Sequence, residues 1–148
     1  MELKIDRGLK TYEIKDIDGT LVGTIRFNPA DLGMAGRAEN AKKALTELGA
    51  SIPENAGPEV VNNMDAAIRQ QFDNIFGTKV SEVLFKDVSA LALCEDGRFL
   101  YEAVLDALAP ILQQAQESAA KKAVARVESH TGKYRDSAAG LAPGQKVE

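Results

Sequence analysis

Between Val60 and Leu112 the apolar positions fall into two stripes with helical spacing. The first runs Val60, Val61, Met64, Ala67, Ile68, Phe72, Ile75, Phe76, in steps dominated by three and four. Asn62, Asn63, Asp65, Arg69, Gln70, Asp73 and Asn74 occupy the positions between. This 3.6-residue period predicts an amphipathic helix over 58–76, and Gly77 suits a left-handed cap at its end. The second stripe is Phe99, Leu100, Ala103, Val104, Ala107, Leu108, Ile111 and Leu112, widened by Tyr101 and Leu105. It predicts a helix from about 97, with Pro110 inside it removing one backbone hydrogen bond and bending its axis. Three of the five Phe residues lie in this pair of helices, with Phe85 between them, so the core is expected here.

Upstream the period changes from 3.6 to 2. Tyr12 to Phe27 alternates, and Asp18-Gly19 supplies the pair of residues that favours a two-residue type I′ turn. That turn sets Ile17 opposite Thr20, Ile14 opposite Gly23 and Tyr12 opposite Ile25, predicting a β-hairpin over 11–27. Tyr12, Ile14, Leu21, Ile25 and Phe27 then share one face. Leu3 and Ile5 also alternate and suggest a third short strand. Asn28-Pro29 reads as a cap followed by proline at the first helical position. The helix expected within 29–48 has a thin stripe of Leu32, Ala35, Ala38, Ala41, Leu45 and Leu48, interrupted by Gly33 and Gly36.

Residues 49–58 are a loop by composition, and 79–86 hold a short helix with Val80, Val83, Leu84 and Phe85 turned inward. The last helix is expected within 97–128. Its second half has high helix propensity but only Ala115, Ala119, Ala123 and Val127 as an apolar stripe, which suits projection from the body or pairing with another subunit. From Gly132 the Gly, Ser, Ala and Pro content reads as a disordered tail over 132–148. The fold class that follows is α+β, mainly α: one globular domain over 1–131, with an N-terminal β-hairpin packed on a bundle of four to five helices.

Composition changes this picture little. At 148 residues the chain is one domain by size, large enough to bury roughly 70% of its unfolded surface. The net charge is −4. Residues 121–148 carry six basic and three acidic groups, +3 in all, which leaves −7 on the first 120. An acidic body without a dense basic face argues against a nucleic-acid role. No apolar run reaches membrane-spanning length and the N-terminus lacks a signal-peptide core, so a cytoplasmic, soluble protein is expected with no membrane partner. Cys94 stands alone in an apolar run and reads as a small core hydrophobe.

Candidate chemistry is sparse. Asp16-Ile17-Asp18-Gly19-Thr20-Leu21 looks like the first signature of haloacid-dehalogenase-type phosphatases, in which the first aspartate is the nucleophile and the second the general acid. That chemistry needs the pair at the end of a buried parallel strand. Here the preceding residues alternate and another alternating strand follows at once, so an Asp-Gly hairpin turn is the better reading. A phosphotransfer enzyme using Asp16 and Asp18 remains the alternative from another class. A lone His130 leaves no material for histidine triads or multi-histidine metal sites. No catalytic, cofactor-binding or metal-ligating set assembles, and the expectation is a protein that is not an enzyme and needs no cofactor.

Taken together, the chain from about Tyr12 to Val127 resembles the tail assembly chaperones of long-tailed bacteriophages. The likeness rests on the small N-terminal β element, the Phe27-Asn28-Pro29-Ala30-Asp31 step into helix, the Ile75-Phe76-Gly77 helix end, Phe85, and Phe99-Leu100-Tyr101 opening a long helix that contains Pro110. The resemblance implies a non-catalytic chaperone acting in the bacterial host cytoplasm. Its partner would be the long, hydrophobic, helical tape measure protein, coated before the tail tube polymerises around it. The apolar surface of the 97–112 helix covers more than half its circumference, which suits burial on two sides. Tyr101, Leu105, Leu108 and Ile111 are therefore the candidate partner-binding residues. A bacterial adaptor or structural subunit that closes a homo-oligomer through the same face is the other non-enzymatic reading.

Overall fold

The structure, a computed structural model, describes residues 1–139, and side chains as far as Ser129. Two antiparallel strands, β1 (Lys10–Lys15) and β2 (Leu21–Phe27), precede four helices: α1 (Leu32–Ala50), α2 (Pro58–Phe76), α3 (Ser81–Leu84) and α4 (Leu100–Ala139). The α+β, mainly helical class is as expected.

The hairpin keeps the expected register, with Tyr12 opposite Ile25 and Ile14 opposite Gly23. Its turn is one residue longer than the type I′ reading. The Asp16 carbonyl accepts from the Gly19 N–H at 2.9 Å, and the Asp16 N–H donates to the Thr20 carbonyl at 2.9 Å. Of the turn residues only Gly19 has positive φ (90°). A type I turn closed by a left-handed glycine bulge fits that pattern, and the strand register shifts between Ile14 and Lys15 to absorb the extra residue. Ile25 and Phe27 are buried, but Leu21 at the turn end of the same face is exposed. Leu3 and Ile5 are exposed and form no strand.

Helix α1 begins at Leu32, three residues after the expected start. Asn28 caps a separate turn instead: its Oδ1 accepts from the Ala30 N–H, and its carbonyl accepts from the Asp31 N–H. Asp31 then caps the helix, accepting from the Gly33 N–H at 2.9 Å. The buried stripe shifts accordingly. Met34, Ala41 and Leu45 face inward, and Leu32 is 73% exposed.

Helix α2 has the predicted bounds, with Met64, Ile68, Phe72 and Ile75 buried. Gly77 closes it in the left-handed conformation (φ 71°). The Arg37 Nε donates to the Ile75 carbonyl at 3.0 Å, which ties the start of α1 to the end of α2. The short helix expected over 79–86 is only one turn. Asp73 holds its first residue, accepting from both the N–H and the hydroxyl of Ser81. Val83 of α3 presses so closely on β2 that a Cβ at Gly23 would meet its Cγ1 at 2.9 Å.

The core joins the hairpin to the helices through aromatic contacts. Tyr12 stacks on Phe27 (4.6 Å between centroids), Phe27 meets Phe76 edge-on, and Phe72 meets Phe85 edge-on. A two-stranded hairpin is marginal alone; Phe27 and Ile25 secure this one by burying against the helices.

The largest departure is at the C-terminus. Helix α4 is continuous through Pro110 and Gly132 to Ala139, well past the expected end at 128. The first residues of the expected 132–148 tail are therefore helical, and 140–148 lie outside the described residues.

Candidate protein-binding surface

Helix α4 is positioned by the irregular segment before it. The Leu100 N–H donates to the Ala92 carbonyl at 2.7 Å and the Tyr101 N–H to the Ala90 carbonyl at 3.1 Å, so two first-turn donors are satisfied by that segment. Leu93 and Phe99 form an isolated β-bridge across the Asp96-Gly97 turn. Arg98 fixes the turn on the helix, its guanidinium bonding Asp96 and Asp106 at 2.8 Å each. The Arg98 backbone N–H and guanidinium hold the Asp96 carboxyl below the usual carboxylate range, and the two carboxylates raise Arg98.

The same segment is held to α2 by a second ionic cluster. Asp65 accepts from the Ala90 N–H at 2.7 Å and from the Ser89 hydroxyl, and pairs with Arg69 at 3.0 Å. Arg69 also donates to the carbonyls of Phe85 and Val88, with its guanidinium over the Phe85 ring. Thus α2 positions 85–90, and 90–92 position α4.

The four candidate residues separate on this frame. Tyr101 and Leu108 are core side chains, 6% and 8% exposed. Leu105 and Ile111 are half-buried and pack against the core with Val104 and Leu112. The wide apolar face of 97–112 is thus largely used inside the fold, and Tyr101 and Leu108 are not available to a partner. What α4 offers lies further along. From Ala120 to Ser129 every side chain is exposed, including Val124 and Val127 at 56% and 57%. From Ala120 to Ala139 the helix continues for 20 residues, an arm about 30 Å long at 1.5 Å per residue. The thin stripe including Val127 is legible in the sequence, whereas the burial of the wider face upstream follows only from the packed core.

Asp16 and Asp18 sit at the exposed tip of an antiparallel hairpin. The Asp18 carboxylate accepts from the Thr20 N–H at 3.0 Å, and that bond holds its pKa low. No parallel strand precedes them. Among the described residues no group of three or more His, Cys, Asp or Glu is placed to hold a metal ion, and no helix is long and apolar enough to cross a membrane.

Residues 22–140 match the model of a family described as a family of unknown function, DUF6673, and the chain belongs to that family. The matched stretch runs from β2 through the whole of α4, so the arm lies within it. Neither a curated protein nor a solved structure matches the chain.

Proposed function

We propose that the protein is a non-catalytic protein-binding chaperone of phage tail assembly, coating the hydrophobic helical tape measure protein in the host cytoplasm. The observation that carries this reading is the arm of α4. An amphipathic helix stabilised within a domain hides its apolar residues, whereas this one carries Val124 and Val127 past the end of the core. A helix presenting small and branched apolar residues suits side-by-side contact with another helix. Each contact is small. Many copies along one repetitive client supply avidity while each copy stays easy to displace, which suits a factor that leaves when the tube forms.

The test is co-expression of the full chain with a candidate tape measure protein, comparing wild type with the Val124→Glu/Val127→Glu double variant. Because both side chains are exposed, the variant keeps its helical circular dichroism and melting temperature. It loses co-purification of the client. Retention of the client by the variant, or failure of the wild type to retain it, overturns the reading. The same arm also suits a homo-oligomeric subunit. A wild-type assembly that forms without any client and dissociates in the double variant selects that alternative.

A further inference from the structure

Ahead of the hairpin, residues 1–5 make no backbone hydrogen bond to any described residue, and Leu3 and Ile5 are 86% and 68% exposed. The chain bends before it enters β1. The Asp6 carboxylate accepts from the Gly8 N–H at 2.8 Å, and Gly8 has φ 66°. The Arg7 carbonyl accepts from Asn28 Nδ2 at 3.0 Å. Asn28 directly follows Phe27, the partner of Lys10 at the open end of the ladder. That bond holds the segment beyond the end of the hairpin rather than beside its own β1.

The sheet has two strands, so among the described residues the edge of β1 that faces away from β2 pairs with nothing. On one face of β1, Tyr12 and Ile14 are half-buried against the core. On the other, Glu13 and Lys15 are exposed. An open edge of this kind accepts an extended segment through backbone hydrogen bonds, with alternate side chains setting the choice of segment.

We propose that residues 2–5 of a second copy of this chain fill the β1 edge, running antiparallel, in a reciprocal exchange. The side chains select both the occupant and the register. Glu2 lies opposite Lys15, Leu3 opposite Ile14, Lys4 opposite Glu13 and Ile5 opposite Tyr12. Apolar then meets apolar on the core face, and each charge meets its opposite on the other. Glu2 and Lys4 lie 3.8 Å apart along their own segment, and Glu13 and Lys15 lie 3.4 Å apart along β1, so the charges alternate around a square. A slip of two residues sets Glu2 against Glu13 or Lys4 against Lys15, and like charges directly opposite are destabilising. A slip of one turns Leu3 and Ile5 onto the charged face. The edge of β2 offers no such pattern, because Arg26 is the one charged residue of that strand. In a straight strand Leu3 and Ile5 would also fall out of step with Tyr12 and Ile14. The left-handed Gly8 resets that alternation, so each copy gives and receives on the same face of a two-fold pair.

The experiment measures the mass of the full chain by sedimentation equilibrium over a dilution series. Wild type approaches twice 15.9 kDa as its concentration rises. Lys4→Glu and Glu13→Lys, each studied alone, set like charges opposite in both halves of the pair and weaken dimerisation about tenfold or more. An equimolar mixture of the two variants restores it, because each segment then meets a strand of opposite charge. A segment folded back on its own β1 would gain nothing from mixing. The Leu3→Asp/Ile5→Asp variant is monomeric. All four side chains are exposed, so every variant keeps its helical circular dichroism. The Val124→Glu/Val127→Glu variant dimerises like wild type, which separates this contact from the one proposed for α4. The proposal is overturned if wild type stays monomeric up to about 1 mM, or if any of the variants in residues 3–13 dimerises like wild type. It is equally overturned if mixing the charge variants restores nothing, or if the α4 variant loses the dimer.

Discussion

The hydroxyl of Tyr101 packs directly on Gly49: a Cβ built at that glycine would lie 2.8 Å from the phenol oxygen. This contact seats the first turn of α4 on the last turn of α1. Gly49 is helical, so alanine there would ordinarily add about 1 kcal/mol of helix stability. Here the methyl meets the hydroxyl first. Gly49→Ala therefore lowers the melting temperature in the wild-type background and raises it in a Tyr101→Phe background. A double-mutant cycle by thermal denaturation reads the sign change, and equal effects in both backgrounds would remove the contact from the argument.

Tyr101 also makes stability depend on alkaline pH. Burial, and then the neighbouring Glu102 carboxylate, raise its pKa above the ordinary value. The unfolded chain gives up the phenolic proton first, near pH 10, so above that pH the unfolded state binds fewer protons than the folded one and stability falls. Below it, both states are protonated and the effect vanishes. Urea midpoints for wild type and Tyr101→Phe should diverge only above about pH 9.5, with the wild type losing more.

Arg69 and Asp65 join α2 to residues 85–90. Removing one partner of a partly buried cluster leaves the others without hydrogen bonds. Asp65→Ala and Arg69→Ala should each cost about 2–3 kcal/mol in chemical denaturation. Arg69→Lys should recover little of this, because a single ammonium cannot span the Asp65 carboxylate and two carbonyls in the geometry of the guanidinium. Full rescue by lysine would show that only the charge matters.

At the hairpin tip, Gly19→Val places a β-branched residue at φ 90° and should destabilise the fold by about 1–2 kcal/mol. An unchanged midpoint would mean that the hairpin adds nothing to the cooperative unit.

Much of this fold is legible in the residues themselves. Alternation from Tyr12 to Phe27 fixed which residues pair, because a slip of one position would put Phe27 in solvent. It could not fix the turn, since two- and three-residue loops around Asp18-Gly19 differ by one hydrogen bond at the end of the ladder. Asn28 and Asp31 are both good caps, and Asn28 is drawn off by the Ala30 N–H and the Arg7 carbonyl, the second of which is 21 residues away. Gly132 did not end α4, as a single glycine costs only about 1 kcal/mol against neighbours that favour helix. Whether Tyr101 faces a core or a partner depends on α1, whose Gly49 lies against its hydroxyl, a long-range contact that periodicity does not contain.

The length of α4 has a hydrodynamic consequence. Forty residues of helix span about 60 Å, whereas a compact chain of this size has a diameter of about 40 Å. A single copy should tumble slowly and anisotropically, and elute from a sizing column ahead of a sphere of 15.9 kDa. Early elution is thus the signature of one extended molecule, and the number of copies is read from mass by light scattering.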